Sequence, residues 1–147
     1  MNKVVIVGGG WSGCAAAVEA KKLGADVSLL ERTDMLLGTG LVGGIMRNNG
    51  RYTATEELIA MGGGDLFQVI DKNLRHKGID FPGHEHADLY DVATISASIT
   101  RYIKSLGIDV NLQSRVTNIE MNGKKILSIE DSNGVKYEGD VFIDTTG

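Results

Sequence analysis

The residues with the clearest chemical meaning are Gly8-Gly9-Gly10-Trp11-Ser12-Gly13. They fit G-x-G-x-x-G, a spacing that binds dinucleotides when it joins a strand to a helix. Each glycine has its own expected role. Gly8 allows a tight turn, Gly10 lets the backbone approach a pyrophosphate, and Gly13 lets the helix pack closely on the strands. Trp11 and Ser12 begin that helix, whose free N–H groups and positive dipole end would meet the phosphates. Trp11 is bulky for such a site and can cover the cofactor or the domain surface. The second feature is Glu31, about 20 residues further on. Its carboxylate can accept both ribose hydroxyls of an adenosine, and its charge repels a 2′-phosphate. The plain alternative is a glycine-rich turn with an exposed glutamate.

A fingerprint of this kind needs strand, helix and strand to position it, and the flanking residues predict all three. Lys3–Val7 and Ala25–Leu30 are short apolar runs typical of buried strands. Between them Trp11 to Leu23 is rich in alanine and other helix formers, with Gly24 as the stop. Residues 33–52 have no period and are glycine-rich, which predicts an ordered functional loop. Thr53 and Glu56 form a capping box for a helix to about Met61. Leu66, Phe67, Ile70 and Leu74 mark one face of a helix predicted to run to Gly78. Asp80–His86 reads as a loop, and Asp88 to Leu106 as a strongly periodic helix ended by Gly107. Ile108–Leu112 and Val141–Ile143 read as strands. Val116–Met121, Lys124–Glu130 and Val135–Glu138 are joined at Asn122-Gly123 and Asn133-Gly134, which predicts a meander with type I′ turns.

A nicotinamide-binding half would continue soon after Glu31 with another strand–helix repeat. This chain inserts a glycine-rich loop and helical stretches there, followed by the meander and IDTTG. In GGGWSGCAAA (8–17), LLER (29–32), LLGTGLVGG (36–44) and VFIDTTG (141–147) the sequence resembles the two-dinucleotide-binding-domain flavoproteins. Within them it is most similar to FAD-dependent oxidoreductases. Flavoproteins of tRNA modification and succinate dehydrogenase-like enzymes would be more distant kin. The resemblance implies an α/β, Rossmann-like FAD/NAD(P)-binding fold, a parallel sheet with a three-stranded β-meander. It implies FAD as cofactor, with the pyrophosphate at Gly10–Gly13 and the adenosine ribose at Glu31. Arg32 takes the place of the family's frequent basic residue. Gly38, Thr39 and Gly40 would pass near the pyrophosphate, ribityl chain or ring. Val116 matches a position whose backbone meets the adenine, and Thr145-Thr146-Gly147 matches the family's A-T-G turn.

Two departures qualify the match. The family's Gly-Gly after the acidic segment is Leu37-Gly38 here. The family also continues beyond its A-T-G turn into a substrate domain. Residues 1–147 are therefore expected to be the N-terminal half of an FAD-binding domain, with 33–107 as glycine-rich loop and helical insertion and 115–138 as meander. A C-terminal half or a partner chain, in an oligomer or complex, would carry the substrate site. No residue here is assigned to catalysis. A non-catalytic module binding NAD or FAD, with a regulatory or structural role, is the alternative, and an NAD-binding domain is a third reading.

Composition narrows the remaining classes. A formal net charge of -4 argues against nucleic acid as partner, because phosphate backbones want a basic surface. No run approaches the roughly 18 apolar residues of a membrane helix. Val4 to Val7 is too short for a secretory signal, so a cytoplasmic protein is expected. The single cysteine, Cys14, excludes an internal disulfide and reads as a small packing residue. His84-Glu85-His86 reads as a solvated loop, and no metal site is expected. His76 would complement a helix C-terminus. Arg47 and Arg51 are either exposed loop charges or cations near a flavin ring.

Overall fold

Lys3–Val7 forms the central strand β1. The computed structural model describes residues 1–45, 47–49, 55–61 and 64–147. From β1 the chain runs through α1 (Trp11–Lys22), β2 (Asp26–Leu30), α2 (Thr39–Val42), β3 (Arg47–Asn49), α3 (Thr55–Ala60) and α4 (Asp65–Asp71). It continues through β4 (Leu74–Phe81), β5 (His84–Tyr90), α5 (Val92–Ser105) and β6 (Asp109–Asn111). It ends with β7 (Val116–Asn122), β8 (Lys125–Asp131), β9 (Lys136–Glu138) and β10 (Val141–Asp144).

Four strands make a parallel sheet in the order β10-β1-β2-β6. The chain steps outward from β1 to β2 and β6, then returns to the other side of β1. That reversal is a topological switch point, the place where open α/β sheets bind ligands at the carboxyl ends of their strands. Side chains alternate across the sheet. Val4, Ile6, Val27 and Leu29 pack with Cys14, Ala17 and Val18 of α1 and with Ile95, Ile99 and Ile103 of α5. Val5 and Leu30 turn the opposite way, onto Ile129 of β8, with Tyr137 and Val116 beside them. Burial on both faces explains why β1 is continuously apolar from Val4 to Val7 and why β2 is apolar at Val27, Leu29 and Leu30. The layers are helices, parallel sheet and the antiparallel meander β7-β8-β9.

The meander's turns differ from the type I′ expectation. Asn122 pairs with Lys125, so Gly123 and Lys124 are central, and of these only Gly123 has positive φ, at +61°. That is the sign pattern of a type II′ turn, with glycine first. At the second hairpin the Gly134 N–H bonds to the Asp131 carbonyl at 3.0 Å, and Gly134 alone takes positive φ. This is the three-residue loop with a glycine bulge.

Residues 64–90 also differ from expectation. The helix predicted to reach Gly78 stops at Asp71, because Asn73 turns back on it: its side-chain amide donates to the Val69 carbonyl at 2.7 Å and its N–H to the Ile70 carbonyl at 2.8 Å. Leu74 then opens a strand instead. It kept the helical spacing because it joins the same core as Leu66 and Ile70. The predicted loop Asp80–His86 is the tip of hairpin β4–β5, with Phe81 opposite His84 and Gly83 at φ +83°. Arg47–Asn49 adds a third strand to it. His76 therefore lies on an exposed strand, not at a helix end. The long helix begins at Val92 rather than Asp88. Asp91 caps it, accepting from the Thr94 N–H and hydroxyl, both at 2.8 Å, which holds its carboxyl below the usual range. Thr53 of the capping box, Gly50, Arg51, Gly62 and Gly63 lie outside the described residues.

Candidate functional site at the switch point

The carboxyl ends of β1 and β10 enclose the glycine fingerprint. Gly8 takes φ +101° and donates its N–H to the Leu30 carbonyl at 2.8 Å. A Cβ there would sit 2.8 Å from the Thr145 carbonyl oxygen. At Gly13 a Cβ would lie 1.8 Å from the Gly8 carbonyl oxygen, so the first turn of α1 is pressed directly on the loop. Gly10 is the opposite case: a Cβ there would meet no protein atom within 4 Å. Two glycines are thus required by the protein's own packing, while the third faces open space where a ligand can approach. This is the division of labour a pyrophosphate-binding turn needs.

Gly10 is the N-cap of α1, and no side chain caps it. Trp11, Ser12 and Gly13 therefore present first-turn N–H groups without intrahelical acceptors. Ser12 is exposed and Trp11 half-buried. The Trp11 ring stacks on Phe67 of α4 with centroids 5.0 Å apart. That fixes its bulk over the insertion, beside Gly40, where a Cβ would stand 3.7 Å from the indole nitrogen.

Glu31 is only 6% exposed. Its Oε2 accepts the Gly9 N–H at 2.7 Å, and its Oε1 accepts the Thr33 N–H at 2.8 Å and the Thr33 hydroxyl at 2.9 Å. The acid is therefore bonded to the fingerprint itself. Arg32 beside it is exposed. Leu37, in the place of a family glycine, adopts the glycine-like φ of +69° while 1% exposed, and its N–H donates to the Gly9 carbonyl at 2.8 Å. Gly38 then lies against Gly10, whose Cα would be 3.1 Å from a Cβ at Gly38. Thr39, at the start of α2, is exposed.

Thr145 closes the other wall. Its hydroxyl reaches the Val7 carbonyl at 2.8 Å and the Gly8 carbonyl at 2.7 Å. Thr146 and Gly147 are exposed, and Thr146 folds back on Asp144, bonding through its N–H at 2.9 Å and its hydroxyl at 2.7 Å. Val116 packs with Val5, Leu30 and Ile129 on the meander side of the sheet. Two residues before it, the Ser114 N–H donates to the Glu31 carbonyl at 2.9 Å.

Comparison with known proteins agrees with this geometry. A family described as glucose inhibited division protein A matches residues 3–147. The chain belongs to this family. The solved structure of Aquifex aeolicus GidA superposes with a TM-score of 0.69 at 18% identity, covering 99% of this chain and 25% of that one. CtdE in complex with FAD gives a TM-score of 0.66 at 25% identity, covering 100% of this chain and 38% of that one. A ferredoxin reductase from Rhodopseudomonas palustris gives 0.59 at 16% identity, covering 99% and 24%. No curated protein sequence matches. The fold is that of the FAD-binding Rossmann-like flavoproteins, and the chain spans less than two fifths of each of these relatives.

Sequence reasoning passed over two residues of this site, Gly9 and Thr33. Gly9 fills a variable position of the fingerprint, yet a Cβ there would be 2.7 Å from Leu36 Cδ2 and 2.9 Å from Glu31 Cβ. The run of three glycines was the available signal. Thr33 is a small polar residue without a spacing rule, and only the fold reveals its partners; Thr145, which the resemblance sets in the A-T-G turn, bonds the Val7 and Gly8 carbonyls.

One further candidate sits against the fingerprint: the Cys14 Sγ donates to the Gly9 carbonyl at 3.2 Å. Cys14 is fully buried, and burial pushes its thiol up to about 12, so it packs rather than reacts. The Arg47 guanidinium lies over the Phe81 ring at 5.9 Å. Among the described residues no group of three or more His, Cys, Asp or Glu could hold a metal ion. Among them, too, no helix is long and apolar enough to cross a membrane.

Proposed function

We propose that this chain is the FAD-binding part of a flavin-dependent oxidoreductase. Residues 1–147 form the N-terminal portion of its FAD-binding domain, with 33–107 inserted and 115–138 as the meander. The observation that carries the reading is the triple fit of the glycines, two sealed by backbone and one open, beside a buried carboxylate. Gly10, Trp11, Ser12 and Gly13 would hold the pyrophosphate through backbone N–H groups and the dipole end of α1, on the tight turn that Gly8 makes. Glu31 would hold the adenosine ribose, with Arg32 and Val116 beside the adenine. Gly38, Thr39, Gly40, Thr146 and Gly147 would line the path toward the flavin.

Bound flavin supplies electron transfer, and the protein binds, orients and tunes it. The residues here serve binding, orientation and tuning. The helix terminus neutralises phosphate charge, and the close glycines exclude water from between cofactor and backbone. The substrate site belongs to the rest of a longer protein or to a partner chain, in line with the relatives' greater length. The setting is taken as cytoplasmic.

Titration of FAD and NAD into the purified chain, followed by flavin fluorescence and by competition, tests the reading. FAD should bind more tightly than NAD. Glu31→Ala should weaken FAD by about 1.5–3 kcal/mol, the loss of hydrogen bonds to a charged group. Preference for NAD would reject the flavin reading, and unchanged affinity in Glu31→Ala would reject Glu31 as the ribose ligand.

A further inference from the structure

An ionised carboxylate offers about four lone-pair sites for hydrogen bonds. In Glu31 three of them are already used inside the protein. Oε1 takes the Thr33 N–H at 2.8 Å and the Thr33 hydroxyl at 2.9 Å, and Oε2 takes the Gly9 N–H at 2.7 Å. The Thr33 hydroxyl also lies 3.0 Å from the Met35 carbonyl, but its one proton favours the ionised acceptor. This arrangement is rigid. The Glu31 N–H bonds to the Asn111 carbonyl at 2.8 Å, the Ser114 N–H to the Glu31 carbonyl at 2.9 Å, and the Gln113 N–H to the Thr33 carbonyl at 2.8 Å. Segment 31–33 is thus bonded along its length to segment 111–114. Neither the carboxylate nor Thr33 can shift without breaking several of these bonds.

We propose that Thr33 is a positioning residue that saturates Oε1 and leaves Glu31 one acceptor site, on Oε2, for the nucleotide ribose. Glu31 then recognises a single ribose hydroxyl rather than both. This inference rests on the FAD reading and names how its ribose end is selected. Thr33→Val keeps the backbone N–H but removes the hydroxyl donor, which frees a second acceptor site on Oε1. Thr33→Ser keeps the donor.

The test compares FAD with its two analogues lacking either the 2′- or the 3′-hydroxyl of the adenosine ribose. Each is titrated into the wild-type chain, Thr33→Val, Thr33→Ser and Glu31→Gln, with circular dichroism as the check on folding. The wild-type chain should discriminate between the two analogues by about ten- to a hundredfold, the worth of one hydrogen bond to a charged group. Thr33→Val should lose that discrimination and Thr33→Ser should keep it. Adding Thr33→Val to Glu31→Gln should change nothing further. Equal weakening by both analogues in the wild-type chain, or intact discrimination in a folded Thr33→Val, overturns the proposal. A wild-type chain that binds no FAD overturns the functional reading instead, and this inference with it.

Discussion

Leu37 carries the sharpest conflict between a side chain and its backbone. Its buried isobutyl group favours the fold, yet φ +69° costs a non-glycine residue about 1–2 kcal/mol. Truncation should therefore show an inverted order. Leu37→Ala should destabilise by about 2–5 kcal/mol through lost burial and a cavity. Leu37→Gly should be more stable than Leu37→Ala by about 1 kcal/mol, since glycine relieves the left-handed strain. Urea denaturation of the two variants measures this, and an alanine variant more stable than the glycine one contradicts it. Gly13 makes a simpler case. Its missing side chain is occupied by the Gly8 carbonyl, so Gly13→Ala should lose both thermal stability and FAD binding. Spacing rules single out Gly8, Gly10, Gly13 and Glu31, and the fold brings these four together at the switch point. Gly9 and Thr33 follow none: the run of three glycines marks Gly9, but the bonds of Gly9 and Thr33 to Glu31 are set by the fold.

At the scale of elements, α5 and the meander carry the core that holds β1 and β2 in place. Ile95, Ile99 and Ile103 are fully buried at steps of four on one face of α5. Ile99→Ala should cost about 2–5 kcal/mol, read by chemical denaturation. The meander is pinned by Asp131, which is 2% exposed and accepts from the Ser114 hydroxyl at 2.5 Å, the Tyr137 hydroxyl at 3.2 Å, and the N–H groups of Asn133 and Val135, both at 2.9 Å. Led by the Ser114 bond, these hold its carboxyl at about 2, below the ordinary 3.8. A lowered carboxyl stabilises the fold above its unfolded value, and the gain is lost as pH falls from about 4 to 2. Asp131→Asn should flatten the acid-unfolding curve in that window, and an unchanged slope would contradict the role of this carboxylate. Strands β1, β2 and the meander were legible from apolar runs and Asn-Gly signals. Hairpin β4–β5 was not, because Leu74 and Leu89 happen to continue the helical spacing of their neighbours. What ends α4 and begins α5 are two side chains, Asn73 and Asp91, that turn onto the backbone.

For the whole molecule, the decisive property is the strand order β10-β1-β2-β6. It brings residues from both ends of the chain, Gly8 and Thr145, to one crevice, with Glu31 at its side. No local pattern contains that order, though the fingerprint followed by an acid implied the half of it from β1 to β2. The family match over residues 3–147, and relatives of which this chain covers only 25% and 38%, support reading the crevice as the flavin-binding part of a larger machine. The most direct test is the visible spectrum of the purified chain after incubation with FAD and desalting. A yellow protein that retains flavin absorbance, with the colour lost in Gly13→Ala, is the predicted result. A colourless protein that binds NAD but no FAD would contradict it.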